Sequence, residues 1–343
     1  MKKIRSRAPI RIDFAGGTTD LAAFRNREGG AVVSATVGRY AYCSLQVTAG
    51  SSICIRADDL QQFIRAASIR ELEFDGNLDL LKGAVKALDL TEGLDIYVHC
   101  DAPPGSGTGS SASVGVALLG LLNHLRVSGR HAGGEILSRF DLAELACRIE
   151  QDLGIVGGKQ DQYAAALGGF NYIQFFSDDR VAVEPLLLSP GALCELSKRL
   201  VLYYTGQSRL SGESNQRMIS AYERGDEQVV SALRRIKQTA QAVYRALLAE
   251  DLDTFAGLLN QEWEARRILA PGVVTEQMED IREIALAAGG VATKVCGAGG
   301  GGCLLVYCDD DREGPVRRAL ANCEGNVLDF TFDFSGLQVW ESK

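Results

Sequence analysis

Between Asp101 and Ser113 the chain reads DAPPGSGTGSSAS. An alternating run, Leu94 to Cys100, precedes it and predicts a strand. A run of small and apolar residues, Ser110 to Arg126, follows and predicts a buried helix. Gly105, Gly107 and Gly109 allow positive φ and a close approach of backbone to ligand. Their amides, the free N–H groups of the helix start and the helix dipole together form a concave donor surface suited to a phosphate chain. A flexible linker or a simple tight turn is the competing reading. The hydroxyls of Ser106, Thr108, Ser110 and Ser111 favour the phosphate loop, because a linker between a strand and a buried helix has no need of them. No Lys follows the last glycine, so this is not a Walker A loop, and a dinucleotide fingerprint lacks its third glycine.

A second glycine-rich segment, KVCGAGGGGCLLVY, runs from Lys294 to Tyr307. Gly297, Gly299 and Gly302 match G-x-G-x-x-G, but a strand follows rather than a helix, so the dinucleotide context fails. The segment reads either as a loop held against a ligand or another backbone, or as a tight hairpin connection. The acids that matter lie in ELACRIEQDLGIVGGKQDQYAAALGGF. Glu150 falls near the end of one helix, and Asp161, eleven residues on, near the start of the next. One carboxylate could hold Mg²⁺ while the other accepts a proton; ordinary helix ends also carry such acids.

At 343 residues the chain is long enough for two domains. Ile10, Ile12 and Phe14 alternate with Arg11 and Asp13, predicting a half-buried strand. Strands are also expected over 31–47, 172–176 and 181–183, and helices over 80–90 and up to Gln151, the latter capped by Asp141 with Glu144. A Ser-Pro-Gly turn between Leu186 and Ser197 interrupts the pattern and places the domain boundary there, giving 1–188 and 189–343. The second half opens with a strand, Leu200 to Tyr204. Helices follow over 211–224, 226–249, 251–270 and 275–288, and then strands 291–296 and 303–307, helix 311–322 and strands from Val327 to Val339. That order suggests helices on one face of an antiparallel sheet.

A net charge of −8 argues against a nucleic-acid surface, which needs clustered basic charge. No apolar run approaches the roughly 18–20 residues that span a bilayer, so no membrane partner is expected. The nine cysteines show no C-x-x-C spacing, and no apolar segment follows MKKIRSRAPI. Both features read as a cytoplasmic protein with reduced thiols. His99, His124 and His131 fit no zinc-ligand pattern.

Three motifs occur in order along most of the chain: APIRIDFAGGTTD (8–20), PPGSGTGSSAS (103–113) and KVCGAGGGGC (294–303). On these the chain resembles the GHMP family of small-molecule kinases. Within it, FAGGTTDL, GGKQDQYAAALGGFNYIQF, YTGQSR and CGAGGGGCLLVYCD are similar to D-glycero-D-manno-heptose 7-phosphate kinases. The resemblance implies an α+β two-domain fold: an N-terminal α/β domain with a left-handed βαβ crossover, and a ferredoxin-like C-terminal domain closing the cleft. It implies ATP held by Pro104, Gly105, Ser106, Gly107, Thr108, Gly109, Ser110 and Ser111, and Mg²⁺ held by Ser111 and Glu150. Asp161 would be the base or orienting carboxylate, and Arg11 a cation near the transferred phosphoryl group, which would also keep Asp161 ionised. Gly17, Thr18 and Asp20 would meet the sugar, and Gly297, Ala298, Gly299 and Gly300 would line the cleft.

The implied reaction is ATP-dependent phosphorylation of the anomeric hydroxyl of a sugar phosphate, D-glycero-D-manno-heptose 7-phosphate going to the 1,7-bisphosphate. A kinase for a free sugar or uronic acid is the alternative. A silent sensor of sugar and ATP is a third reading, which the joint presence of Ser111, Glu150 and Asp161 opposes. A phosphate already on the sugar needs cations, and Arg209 and Lys159 are the candidates; Arg25 and Arg266 read as ordinary solvated charges. Two departures fall near the expected sugar pocket. The heptose kinases show GGGTD where this chain has Gly16-Gly17-Thr18-Thr19-Asp20, and often an Asp in place of Gly38. A homodimer is left open.

Overall fold

The computed structural model describes residues 3–128, 136–207 and 211–342, without the side chains of 211–213. In the first part of the chain, β1 (Lys3–Ala15), α1 (Ala22–Glu28), β2 (Gly30–Thr48), β3 (Ile53–Ala57) and β4 (Gln62–Ala66) precede α2 (Asp79–Ala87) and β5 (Gly93–Cys100). Next come α3 (Ser110–Ser128), α4 (Arg139–Asp152), α5 (Gln160–Leu167), β6 (Phe170–Phe175) and β7 (Val181–Pro185). The long β2 organises the sheet. One edge pairs with β1; the other pairs with β6 over 30–35 and with β5 over 41–48. β3 runs parallel to β5, and the connection between them carries β4 and α2.

The remainder comprises α6 (Pro190–Arg199), β8 (Leu200–Tyr204), α7 (Ser211–Glu223), α8 (Glu227–Leu248), α9 (Leu252–Leu269) and α10 (Glu276–Ala287). It ends with β9 (Gly290–Val295), β10 (Cys303–Cys308), α11 (Glu313–Leu320), β11 (Asn326–Leu328) and β12 (Gln338–Ser342). The four-stranded sheet has the order β11-β8-β10-β9, antiparallel throughout. With helices between β8 and β9 and between β10 and β11, this is the ferredoxin-like β-α-β-β-α-β arrangement. β12 leaves that sheet and pairs with β1 in the large one. No helix among the described residues is long and apolar enough to cross a membrane.

Three local readings are corrected. The cap of α4 is Ser138 with Asp141, not Asp141 with Glu144. Ser138 Oγ accepts from the Asp141 N–H at 3.2 Å, and the Asp141 carboxylate accepts from the Ser138 N–H at 2.9 Å. The helix therefore starts one turn earlier, and Glu144 accepts from the Tyr163 hydroxyl instead. Ser189-Pro190-Gly191 is a helix start rather than a turn: Ser189 caps α6 and Pro190 takes the first turn, where its missing N–H costs nothing. The third correction concerns β1. Ile4 and Ala8 pack toward α3, whereas Ile10, Ile12 and Phe14 join the cluster that holds α8 and α9. The register with β2 is irregular between Pro9 and Ile10, and the change of face falls at that irregularity. Helices cover both faces of this stretch, α3 and α5 on one side and α8 and α9 on the other, so Arg11 and Asp13 are buried too, at 4% and 0% exposure, rather than facing water.

α3 is buried nearly all round, as its unbroken run of small and apolar residues requires. The loop that leads into it from β5 is tied to β1, the Arg11 N–H donating to the Thr108 carbonyl at 3.0 Å.

Candidate active site

A cleft of about 330 Å³ opens where four segments meet: the loop after β1, the loop between β5 and α3, the start of α5, and the loop between β9 and β10. Gly105, Gly107 and Gly109 line it with φ of 69°, 72° and 76°. Gly107 and Gly297 are forced to be glycine twice over. Both have positive φ, and a Cβ on Gly107 would lie 2.5 Å from the Cys296 carbonyl oxygen, one on Gly297 2.7 Å from that of Gly107. The two glycine loops thus touch, backbone on backbone.

Ser110 and Ser111 also line the cleft, at the N-terminus of α3. The hydroxyls of Ser106 and Thr108 do not. They lie 2.6 Å apart, buried and bonded to each other, so these residues shape the loop from behind. Pro104 is exposed outside the cleft lining.

Arg11 ties the loop to the acid. Its Nη1 donates to the Gly107 carbonyl at 2.6 Å, and its Nη2 lies 2.7 Å from Asp161 Oδ1. Burial alone would lower the Arg11 pKa; the charges of Asp161 and Asp13 outweigh it and hold the value above the ordinary one. For Asp161 burial wins over the pull of Arg11, and its pKa is raised, not held down as the cation alone would suggest. Asp161 nevertheless keeps about a quarter of its side chain (27%) open.

Glu150 stands behind the cleft wall, 3.6 Å from where a Cβ on Gly157 would be. Burial first, then the charge of Asp161, pushes its pKa up to about 7. A carboxylate in that position lacks a compensating cation, and with the exposed Ser111 hydroxyl it offers the hard oxygen donors magnesium takes. Among the described residues no cluster of three or more His, Cys, Asp or Glu could hold a metal ion.

Thr18, Asp20, Gly297, Ala298 and Gly299 line the cleft as well. Gly17 and Gly300 do not; the Gly17 carbonyl accepts from Arg266, and the Gly300 N–H donates to the Val273 carbonyl. Asp20 is buried, and desolvation raises its pKa against the hydrogen bond from the Gln160 backbone. Gln160 and Asn215 line the cleft as well, and sequence reasoning missed both. Gln160 stood in plain view inside GGKQDQY, between residues given roles, whereas nothing in α7 singles out Asn215.

Lys159 is a correction. Its ammonium lies 2.8 Å from Asp179, shared with Arg25 at 2.9 Å, and it is not part of the cleft lining. Arg209 falls outside the described residues. Arg25 and Arg266 are not solvated charges: both are buried, at 4% and 0% exposure. Arg266 donates to the carbonyls of Gly297 and Gly17 at 2.8 and 3.0 Å, and pairs with Glu262 at 3.0 Å.

The sequence profile of the GHMP kinases N terminal domain matches residues 79–169, and that of the GHMP kinases C terminal domain residues 243–326. The chain is 32% identical to D-glycero-alpha-D-manno-heptose 7-phosphate kinase of Campylobacter jejuni, over 99% of this chain and 99% of that protein. It superposes on the crystal structure of a D-glycero-D-manno-heptose 1-phosphate kinase from Bacteroides thetaiotaomicron with a TM-score of 0.80, at 32% identity and 99% coverage of both chains. Glucuronokinase 1 of Arabidopsis thaliana is 25% identical over 96% of this chain and 90% of that protein. Identity of that size over almost the whole length, with both domain profiles in order, supports a single conclusion: the chain belongs to the GHMP kinase family, as a sugar kinase.

Proposed function

We propose that the protein transfers the γ-phosphoryl group of ATP to the anomeric hydroxyl of a sugar phosphate, D-glycero-D-manno-heptose 7-phosphate going to the 1,7-bisphosphate. The observation that carries the phosphoryl-transfer reading is Arg11, bonded at once to the Gly107 carbonyl and to Asp161. Donor loop and acid are thereby held at a fixed separation, and this class of reaction depends on positioning and charge neutralisation. Asp161 accepts the hydroxyl proton. The freed oxygen forms a bond to the γ-phosphorus, the bond from that phosphorus to the bridging oxygen breaks, and ADP leaves. A raised pKa makes Asp161 a better proton acceptor than an ordinary aspartate while it is ionised. Arg11 offsets charge on the phosphoryl group. Glu150 and Ser111 would hold Mg²⁺, which when bound supplies further charge neutralisation.

The heptose part rests on the Campylobacter relative, similar across its whole length. A second reading, a free sugar or uronic acid, draws on a different observation. Among the described residues lining the cleft the only Lys or Arg is Arg11, and it is already engaged. An ADP-release assay over D-glycero-D-manno-heptose 7-phosphate, D-mannose, L-fucose and D-glucuronate tests both. With Lys159 committed to Asp179, one charge-assisted contact from Arg209 is worth about 1.5–3 kcal/mol, roughly 10- to 100-fold in kcat/KM. The phosphorylated sugar should win by that factor, and Arg209→Ala should erase most of it. Equal turnover of a free sugar would establish the second reading instead.

A further inference from the structure

Two neutral side chains of the cleft wall each carry a buried polar atom with no hydrogen-bond partner, Thr18 Oγ1 and Gln160 Oε1. Thr18 is the third residue of a turn closed by the Thr19 N–H donating to the Gly16 carbonyl at 3.0 Å. Its φ is +79°, a conformation that glycine adopts freely and a β-branched residue only under strain. Here a threonine is kept in spite of the strain, is 8% exposed, and forms part of the cleft wall with Oγ1 unbonded. Strain of this kind persists where the surroundings hold it, and it gathers at ligand sites.

Gln160 is the first residue of α5 and the neighbour of Asp161. Its backbone N–H donates to Asp20 Oδ2 at 3.0 Å and its Nε2 to Asp20 Oδ1 at 3.4 Å. The carboxylate fixes which way the amide lies, because a carbonyl turned toward it would be repelled. Oε1 is left as a buried acceptor with no donor, on a side chain 6% exposed in the cleft lining. A buried polar atom without a partner costs free energy until one arrives.

We propose that Thr18 and Gln160 determine acceptor specificity: the Thr18 hydroxyl and the Gln160 carbonyl each bind a hydroxyl of the acceptor other than the one phosphorylated. The Gln160 carbonyl accepts an O–H; the Thr18 hydroxyl donates or accepts. Asp20, with both oxygens engaged by Gln160, orients Gln160. This rests on the reading above that the acceptor is a sugar.

The test is a cycle between enzyme and acceptor. Wild type, Thr18→Val and Gln160→Met are assayed by ADP release with D-glycero-D-manno-heptose 7-phosphate and its 2-, 3- and 4-deoxy analogues. If D-mannose, L-fucose or D-glucuronate is the sugar turned over, the corresponding deoxy series of that sugar is used. Thr18→Val keeps the branched shape and removes the hydroxyl; Gln160→Met keeps the length and leaves the backbone N–H on Asp20. For each variant, one of the deoxy analogues should lose about tenfold or more in kcat/KM on wild type but less than about threefold on that variant, with nucleotide affinity unchanged. Thr18→Gly, which relieves the strain, should fold at least as well as Thr18→Val and still lose the discrimination. Equal losses on all enzymes for every analogue would overturn the inference alone. No turnover of any of the four sugars would overturn the sugar reading and this inference with it.

Discussion

Lys294 Nζ lies 2.7 Å from Asp13 Oδ2, with both side chains fully buried. The pair joins β9 of the small sheet to β1 of the large one, directly beneath the cleft. Asp13 Oδ1 also accepts from the Gly297 N–H at 3.2 Å, while Arg266 holds the Gly297 carbonyl at 2.8 Å. One glycine of the cleft is thus pinned through both its backbone groups by buried charges from two domains. Removing one member of a buried pair leaves the other unpaired, at about 3–5 kcal/mol. Lys294→Met should therefore lower the unfolding free energy by that order, read from urea denaturation. A loss under about 1 kcal/mol, the size of an exposed pair, would show that the pair is not what joins the sheets.

The same aspartate sets an acid limit. Burial alone would raise the Asp13 pKa, but Lys294, Arg11 and Arg266 outweigh it and hold the value below the ordinary one. On acidification the unfolded chain takes up a proton here near pH 4, before the folded one does. The stabilisation is complete above that pH and is lost as pH falls through the depressed folded value. In Asp13→Asn the urea midpoint should be lower at neutral pH and fall less steeply between about pH 5 and 3. Parallel curves for the two proteins would remove Asp13 as the titrating group.

Asp161→Asn should abolish most of kcat, by about 10²–10⁴-fold, the worth of a positioned proton acceptor. ATP affinity should hardly change. Retention of more than about a tenth of the wild-type rate would limit Asp161 to orienting the hydroxyl.

Ser111→Ala and Glu150→Gln should each raise the Mg²⁺ concentration giving half-maximal rate, because each removes one hard oxygen donor. A magnesium titration of the two variants checks this directly. If both curves overlay wild type, neither residue is a ligand.

Much of the architecture is local and was legible in the sequence. The strand, glycine loop and buried helix from Leu94 to Arg126 read correctly, because φ freedom and unbroken apolarity act over a few residues. The helices from α7 to α10 followed from their periodicity, and the two glycine loops and the acids Glu150 and Asp161 were already visible as a set. What stayed hidden depended on partners distant in the chain. Arg266 looks like any helix-end cation until Gly17 and Gly297 close on it. Lys159 looks available for a phosphate until Asp179 takes its charge. Ser106 and Thr108 look like ligand donors until they bond to each other. Arg11 and Asp13 alternate with apolar residues as exposed side chains would, but helices cover both faces of β1 there and bury them, and β12 joined β1 from the far end of the chain. Residue type and spacing specify what a side chain can do; only burial and the choice of long-range partner decide whether its charge or hydroxyl is left for a ligand.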